Sequence, residues 1–248
     1  MKSNNFVSTF IGPLRCDDMC SDDLINELSF TRKNAKCFFY VNTHCLNFAF
    51  TNSKFRDAMN SSYLSFCDGC GIKFLSFFFS NYSIRNRNTP PDFIDAVYQK
   101  IYKQGGKVFL LGNTKKKVGE YFEKINALYP GLVAGYYHGF FDIRDNDLIV
   151  DAINRVQPRL LLVGMGVPDQ EEFVIRNIGI LKACNVLTVG DLFSWSHDRK
   201  KVPRWLTDNG FEWLFRLFNS PVRLWRRYLL GLPEVLIRLF LKKNDGNE

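Results

Sequence analysis

Three groups of residues have the types and spacing for chemistry on an anionic ligand. The first is the run 160–172, LLLVGMGVPDQEE, where an apolar stretch leads into Gly164, Gly166 and Pro168. An unbroken apolar run reads as a strand covered on both faces, glycines allow a tight turn, and proline suits the first position of a helix. A strand, a glycine turn and a helix N-terminus place backbone N–H groups where a phosphate can be held. An ordinary βα turn fits the same pattern. The second group is Arg216, Arg223, Arg226 and Arg227, set among Trp213, Trp225 and several Leu and Phe. Guanidinium groups are permanently charged and grip phosphate with two donors, so arginines among aromatics point to an anionic, partly apolar partner. The third is Cys67-Asp68-Gly69-Cys70, a CxxC that zinc could share with Cys16 and Cys20. Those pairs differ in spacing and have no histidine nearby, so no metal is expected.

The elements that must position these groups alternate short apolar runs with helical spacing. The first twenty residues read as irregular, and 21–28, with two aspartates near its start, as a helix. Strands are expected at 37–41 and 63–66 around a helix over 46–59, followed by a buried or membrane-touching helix at 72–79. Residues 81–91, NYSIRNRNTPP, form a polar loop of a length that compact domains usually reserve for function or motion. Beyond it the alternation is cleaner. Helices are expected over 92–102, 115–128 and 145–156 and from Pro168 to residue 183, with strands at 107–111, 132–137, 160–163 and 185–189. Repeated βα units give an α/β fold, a parallel sheet with helices on both faces, and ligands bind such sheets outside the carboxyl ends of the strands. Those ends carry Asn42, Asp68, Gly112-Asn113, Gly139, Gly164 and Gly190, which favours a ligand cleft.

After Pro203 the texture changes to basic and aromatic, with Pro221 and Pro233 dividing it into short helices. Residues 234–243, EVLIRLFLKK, are patterned for a membrane interface; a helix packed on the domain with its basic edge in water fits as well.

Composition sets the outer bounds. The 248 residues suffice for one large domain or a domain with an appendage, and the apolar and charged fractions of 46% and 23% are those of a globular chain. From residue 200 onward ten Lys and Arg face five Asp and Glu, so +5 of the net +8 lies in the last fifth of the chain. Phosphates or a membrane surface suit that charge; nucleic acid does not, because no nucleic-acid-binding motif accompanies it. Seven cysteines, an odd number, read as reduced thiols rather than a disulfide framework. Lys2 and the polar Ser3-Asn4-Asn5 do not resemble a signal peptide, and no apolar run reaches the ~18 residues of a membrane span. A cytoplasmic protein, peripheral at the inner face of the cell membrane, is expected.

Taken in order, these pieces resemble the WecG/TagA/CpsF glycosyltransferases (glycosyltransferase family 26). The matching residues are Asn42 after a strand, Asp68-Gly69-x-Gly71, the strand ending at Gly112, Gly139-Phe140-Phe141, and Gly-x-Gly-x-Pro-x-Gln-Glu at 164–171. They continue with Pro203-x-Trp205, Glu212-Trp213-Leu214-x-Arg216, Pro221-x-Arg223 and Arg226-Arg227, so the resemblance spans about residues 37–230. It implies a Rossmann-like, oligomerising catalytic domain (1–200) and a membrane-associating helical appendage (201–248). The implied reaction is inverting transfer, without metal or other cofactor, from a UDP-sugar to a polyprenyl-diphosphate-linked sugar for surface polysaccharide. By the same resemblance Asp68 is the general base, Arg216, Arg223 and Arg226 contact diphosphate, and Asn42 and Gln170, with Glu171 beside it, stand near substrate. Asp68 as a helix cap, and the whole chain as a non-catalytic module binding nucleotide-sugar or lipid diphosphate, are the alternatives. Three positions depart from the pattern. Tyr40 stands for a threonine, Ser194 for the aspartate of a Phe-Asp pair, and Lys201-Val202-Pro203 for Arg-Ala-Pro.

Overall fold

The computed structural model describes residues 6–194, 218, 225 and 230–245. Eight strands form one sheet in the order β1-β2-β4-β3-β8-β7-β5-β6. They are β1 (Val7–Ile11), β2 (Leu14–Asp18), β3 (Lys36–Val41), β4 (Leu64–Cys67), β5 (Val108–Gly112), β6 (Val133–Tyr137), β7 (Leu160–Gly164) and β8 (Asn185–Thr188). All neighbours are parallel except the edge pair β1/β2. The central strands β3, β8, β7 and β5 are buried almost end to end, as their apolar runs require.

The helices are α1 (Ser21–Ser29), α2 (Thr43–Thr51), α3 (Ser53–Asn60), α4 (Cys70–Phe79), α5 (Pro90–Lys103), α6 (Lys115–Leu128), α7 (Asn146–Val156), α8 (Asp169–Asn177) and α9 (Gly231–Asp245). The expected α/β sheet is therefore present. Each departure from the sequence reading has a local cause. Residues 7–18 are not irregular: they make a hairpin that turns at Gly12, whose φ of +59° suits glycine, and Pro13. The helix expected over 46–59 is two helices. Asn52 ends α2 and caps α3, its side chain accepting the Phe55 N–H at 2.9 Å. The helix expected to run to 183 stops at Asn177, shortly before Gly179. Pro233 lies in the first turn of α9, where a missing N–H costs no hydrogen bond; the residues before Leu230 that it was expected to divide from this helix lie largely outside the described ones. The proposed division at 200/201 falls outside the described residues.

Helix α9 packs on α2 and α4. It buries Val235 and Leu239, and Leu239 covers Gly12 so closely that a Cβ there would come within 2.6 Å. No helix among the described residues is long and apolar enough to cross a membrane.

Candidate active site

A cleft of about 750 Å³ opens at the carboxyl ends of β3 and β8, with α9 along its other side. The segment following β3 becomes α2, whereas the short 3-10 turn Leu192–Ser194 following β8 lies against α6. Connections that diverge in this way leave a crevice above the sheet, which is where α/β proteins bind ligands. Tyr40, Asn42, His44, Gly166, Gly190 and Asp191 line it, and α9 contributes Glu234 and Arg238.

Asn42 caps α2, its Oδ1 accepting from the N–H groups of His44 and Cys45 at 3.0 and 3.1 Å. That leaves its amide nitrogen to reach Asp68, whose Oδ2 is 3.4 Å away at the end of the neighbouring strand. Parallel pairing places Val41 opposite Cys67, and the Asp68 N–H donates to the Val41 carbonyl at 2.8 Å, so the register itself sets the two side chains side by side. Gly69 follows at φ +92° as the N-cap of α4, with open space where a Cβ would stand. Gly71 lies against Thr43, where a Cβ would come within 2.8 Å of the threonine methyl.

The polar loop before α5 is held to this end of β4. Asp18, on the adjoining strand, accepts from the backbone N–H groups of Asn86 and Arg85 at 2.8 and 3.1 Å and from the Tyr82 hydroxyl at 3.0 Å. Burial pushes the Asp18 carboxyl up, but those donors outweigh it and hold the group below the usual carboxylate range. The Asn88 N–H donates to the Cys67 carbonyl at 2.8 Å, which fixes the loop one residue from Asp68.

Four of the glycines serve close packing. A Cβ on Gly112 would stand 2.3 Å from the Gly164 carbonyl oxygen, one on Gly164 would stand 2.7 Å from that of Gly190, and one on Gly190 2.9 Å from the Tyr40 hydroxyl. Gly139 is equally confined by Gly112, Asn113 and Met165. Gly166, at φ +88° and with open space around it, faces the cleft together with Val167. Asn113, itself at φ +55°, donates from Nδ2 to Ser194 Oγ at 2.9 Å and Asp191 Oδ1 at 3.2 Å. Lys117 Nζ donates to Ser194 Oγ at 3.0 Å, and Ser194 donates in turn to Asp191. Ser194 therefore sits in a network that already contains a carboxylate.

Gln170 and Glu171, expected near substrate, are both fully buried behind the cleft wall. Gln170 Nε2 donates to the Tyr40 hydroxyl at 2.9 Å and to Glu171 Oε1 at 2.7 Å, and its Oε1 accepts the Gly190 N–H at 3.0 Å. It touches the cleft through Tyr40 and Gly190, not directly. Glu171 Oε2 has no protein partner, and burial pushes the pKa up to about 8.

The structure thus gathers Asn42 with Asp68, Gly112 with Gly164 and Gly139, and Asn113 with Asp191. No hydrogen bond between described residues joins the Asp68 group to the Asn113 group. Arg216, Arg223 and Arg226 lie outside the described residues. Tyr40, noted in the sequence only as a departure from a threonine, lines the cleft. Sequence reasoning missed Asp18 as the loop anchor, Asp191, and the pair Glu234 and Arg238. Asp18 and Asp191 are both polar residues at strand ends, the signal that had singled out Asn42 and Asp68.

A doubly wound sheet with paired polar side chains at its carboxyl edge defines an α/β protein with a ligand cleft of the Rossmann-like kind. Comparison with known proteins supplies the family. The profile of the "Glycosyl transferase WecG/TagA/CpsF family" matches residues 10–248, and the chain belongs to that family. An N-acetylglucosaminyldiphosphoundecaprenol N-acetyl-beta-D-mannosaminyltransferase of Bacillus subtilis (strain 168) is 26% identical over 207 residues, 83% of this chain and 79% of the relative. The enzyme so named in Bacillus spizizenii is 26% identical over 75% of this chain and 71% of its own length. That of Staphylococcus aureus (strain MW2) is 24% identical over 80% and 77%. The chain is accordingly a glycosyltransferase.

Proposed function

We propose that this glycosyltransferase moves an N-acetylhexosamine from a UDP-sugar to a sugar held on a polyprenyl diphosphate, at the inner face of the cell membrane, for wall or surface polysaccharide. The relatives' names support N-acetylmannosamine as the transferred sugar and undecaprenyl-diphosphate-linked N-acetylglucosamine as the acceptor. The observation that carries the reading is the Asn42–Asp68 pair, which sets a carboxylate at a strand end beside the cleft.

In this reading Asp68 takes the proton from the acceptor hydroxyl as its oxygen forms the new bond to the anomeric carbon. The bond from that carbon to the donor's phosphate oxygen breaks, and UDP leaves with the electron pair. Attack opposite the leaving group inverts the configuration. Asn42 orients the carboxylate, and Gln170 acts one layer back by fixing Tyr40 and the Gly190 turn. Arg216, Arg223 and Arg226 neutralise the leaving diphosphate, so no metal is needed.

The test is UDP release from a panel of UDP-sugars with a short-chain polyprenyl-diphosphate N-acetylglucosamine, with and without EDTA. Release that EDTA leaves intact supports the reading. Release that EDTA abolishes and divalent ions restore removes its metal-free part.

A further inference from the structure

Asn113 stands at the end of β5, where ligands bind such sheets, yet its hydrogen-bonding groups are turned into the protein. Its N–H donates to the Gly164 carbonyl at 2.9 Å, and its carbonyl accepts from the Gly139 N–H at 2.8 Å. Its Oδ1 accepts the Thr114 N–H at 2.8 Å. Both hydrogens of its amide are also committed, one to Ser194 Oγ at 2.9 Å and one to Asp191 Oδ1 at 3.2 Å. The side chain presented to the cleft is Asp191, which lines it, whereas Asn113 is not among the described residues that do.

Asp191 directly follows Gly190, whose φ of +55° turns the chain out of β8. The Ser194 hydroxyl donates to the same Oδ1, and Ser194 accepts in turn from Lys117 Nζ at 3.0 Å. Two donors on one oxygen fix the plane of the carboxylate, and the residue stays half-buried at the cleft surface. Asn113 is itself held at φ +55°, a conformation that residues other than glycine seldom take, so the fold bears a strain at the group that aims Asp191.

We propose that Asp191 is a substrate-binding residue that accepts hydrogen bonds from two adjacent hydroxyls of the donor, with Asn113 as the residue that positions it. The inference rests on the nucleotide-sugar donor proposed above. A carboxylate repels phosphate oxygens but accepts from hydroxyls, and its two oxygens match a vicinal diol. Acidic side chains at the strand ends of doubly wound sheets hold ribose in this way. The donor offers such diols on its ribose and on the transferred sugar. Asn42 follows β3, the strand beside β8, so the cleft has the Asn42–Asp68 pair on one side and the hydroxyl-holding carboxylate on the other.

Calorimetric titration of wild type and Asp191→Asn with UDP, 2′,3′-dideoxy-UDP and UDP-N-acetylmannosamine tests this. Asparagine keeps an oxygen for Asn113 and Ser194 to donate to, but it removes the charge that strengthens a bond from a hydroxyl. If the ribose is held, Asp191→Asn should bind UDP and the UDP-sugar about 10–100-fold more weakly and dideoxy-UDP as the wild type does. If the transferred sugar is held, the loss is confined to UDP-N-acetylmannosamine. Asn113→Gly suits the left-handed φ and should show the same pattern of loss, so it decides if Asp191→Asn fails to fold. A merely structural role would weaken all three ligands alike. Equal loss on all three, or no loss on any, therefore overturns the proposal while the donor reading stands. A wild type that binds none of the three overturns the donor reading and this contact with it.

Discussion

The side-chain amide of Asn42 lies 3.4 Å from Oδ2 of Asp68, joining the ends of two adjacent parallel strands. The same Asn42 caps α2 through its oxygen, so one residue fixes both a helix start and the direction of a carboxylate. Asn42→Ala removes both roles. Loss of the cap is expected to cost about 1 kcal/mol of stability. Asn42→Asp keeps the cap but sets a second negative charge against Asp68, which raises the apparent pKa of the pair. The rising limb of the kcat/KM profile should then move to higher pH in Asn42→Asp, and by less in Asn42→Ala, which only removes one long hydrogen bond to the carboxylate. An unmoved limb in both would separate Asn42 from the chemistry.

The stacked glycines give a second expectation. Gly164→Ala places a methyl 2.7 Å from the Gly190 carbonyl oxygen and 2.8 Å from the Phe193 ring, a steric cost of ~2–3 kcal/mol. Gly166→Ala meets no atom within 4 Å but holds φ at +88°, a strain of about 1–2 kcal/mol. Thermal melting should therefore drop further for Gly164→Ala. Gly166→Ala, at the cleft, should show the larger rise in donor KM. The reverse ranking would mean that the two glycines have exchanged roles.

Glu171 makes stability depend on pH. Its folded pKa of about 8 stands above the ~4.3 of an unfolded glutamate. The native state therefore holds the extra proton between those values, and stability falls as pH rises through the window. The loss amounts to up to ~5 kcal/mol once pH has passed about 8. Glu171→Gln cannot ionise, so its urea midpoint should gain on the wild type between about pH 5 and about pH 8. A difference between the two proteins that does not change with pH would show that Glu171 is ionised in the fold.

Asn47 fastens α9 to the domain. Its Nδ2 donates to the Gly231 carbonyl at 2.7 Å and to Glu234 at 3.3 Å, and Arg238 donates to the Asn47 carbonyl at 3.1 Å. Asn47→Ala removes the first two bonds, and at roughly 1 kcal/mol of net worth the amides of α9 should exchange about 5-fold faster. Unchanged protection would place the hold on Val235, Leu239 and the bonds that Arg238 and Lys242 make to backbone carbonyls.

Much of this architecture was legible in the chain. The buried strands carried unbroken apolar runs, and α6 spans 115–128 as its spacing predicts, whereas α2 starts at Thr43, three residues before the expected helix, because Asn42 caps it. The hairpin at 7–18 escaped because one buried edge pair leaves an irregular burial pattern with no clean alternation. In the site, strand-end position identified Asn42 and Asp68. It could not tell a side chain in the cleft from one behind its wall. Gln170 shares its motif with Gly166, yet one helical turn points it inward to Tyr40 and Gly190. Tyr40 was noted in the sequence as a replacement for a threonine, but only the position of Gly190 and the cleft shows where its hydroxyl lies.

The most direct measurement is the steady-state rate of transfer from UDP-N-acetylmannosamine to a short-chain polyprenyl-diphosphate N-acetylglucosamine by the wild type and by Asp68→Asn. Asparagine keeps the shape and the contact with Asn42 while removing the base. The wild type is expected to form the lipid-linked disaccharide. In Asp68→Asn kcat should fall by about 10²–10⁴-fold with KM within a few-fold. Transfer by Asp68→Asn at the wild-type rate would contradict the role of Asp68 as the base.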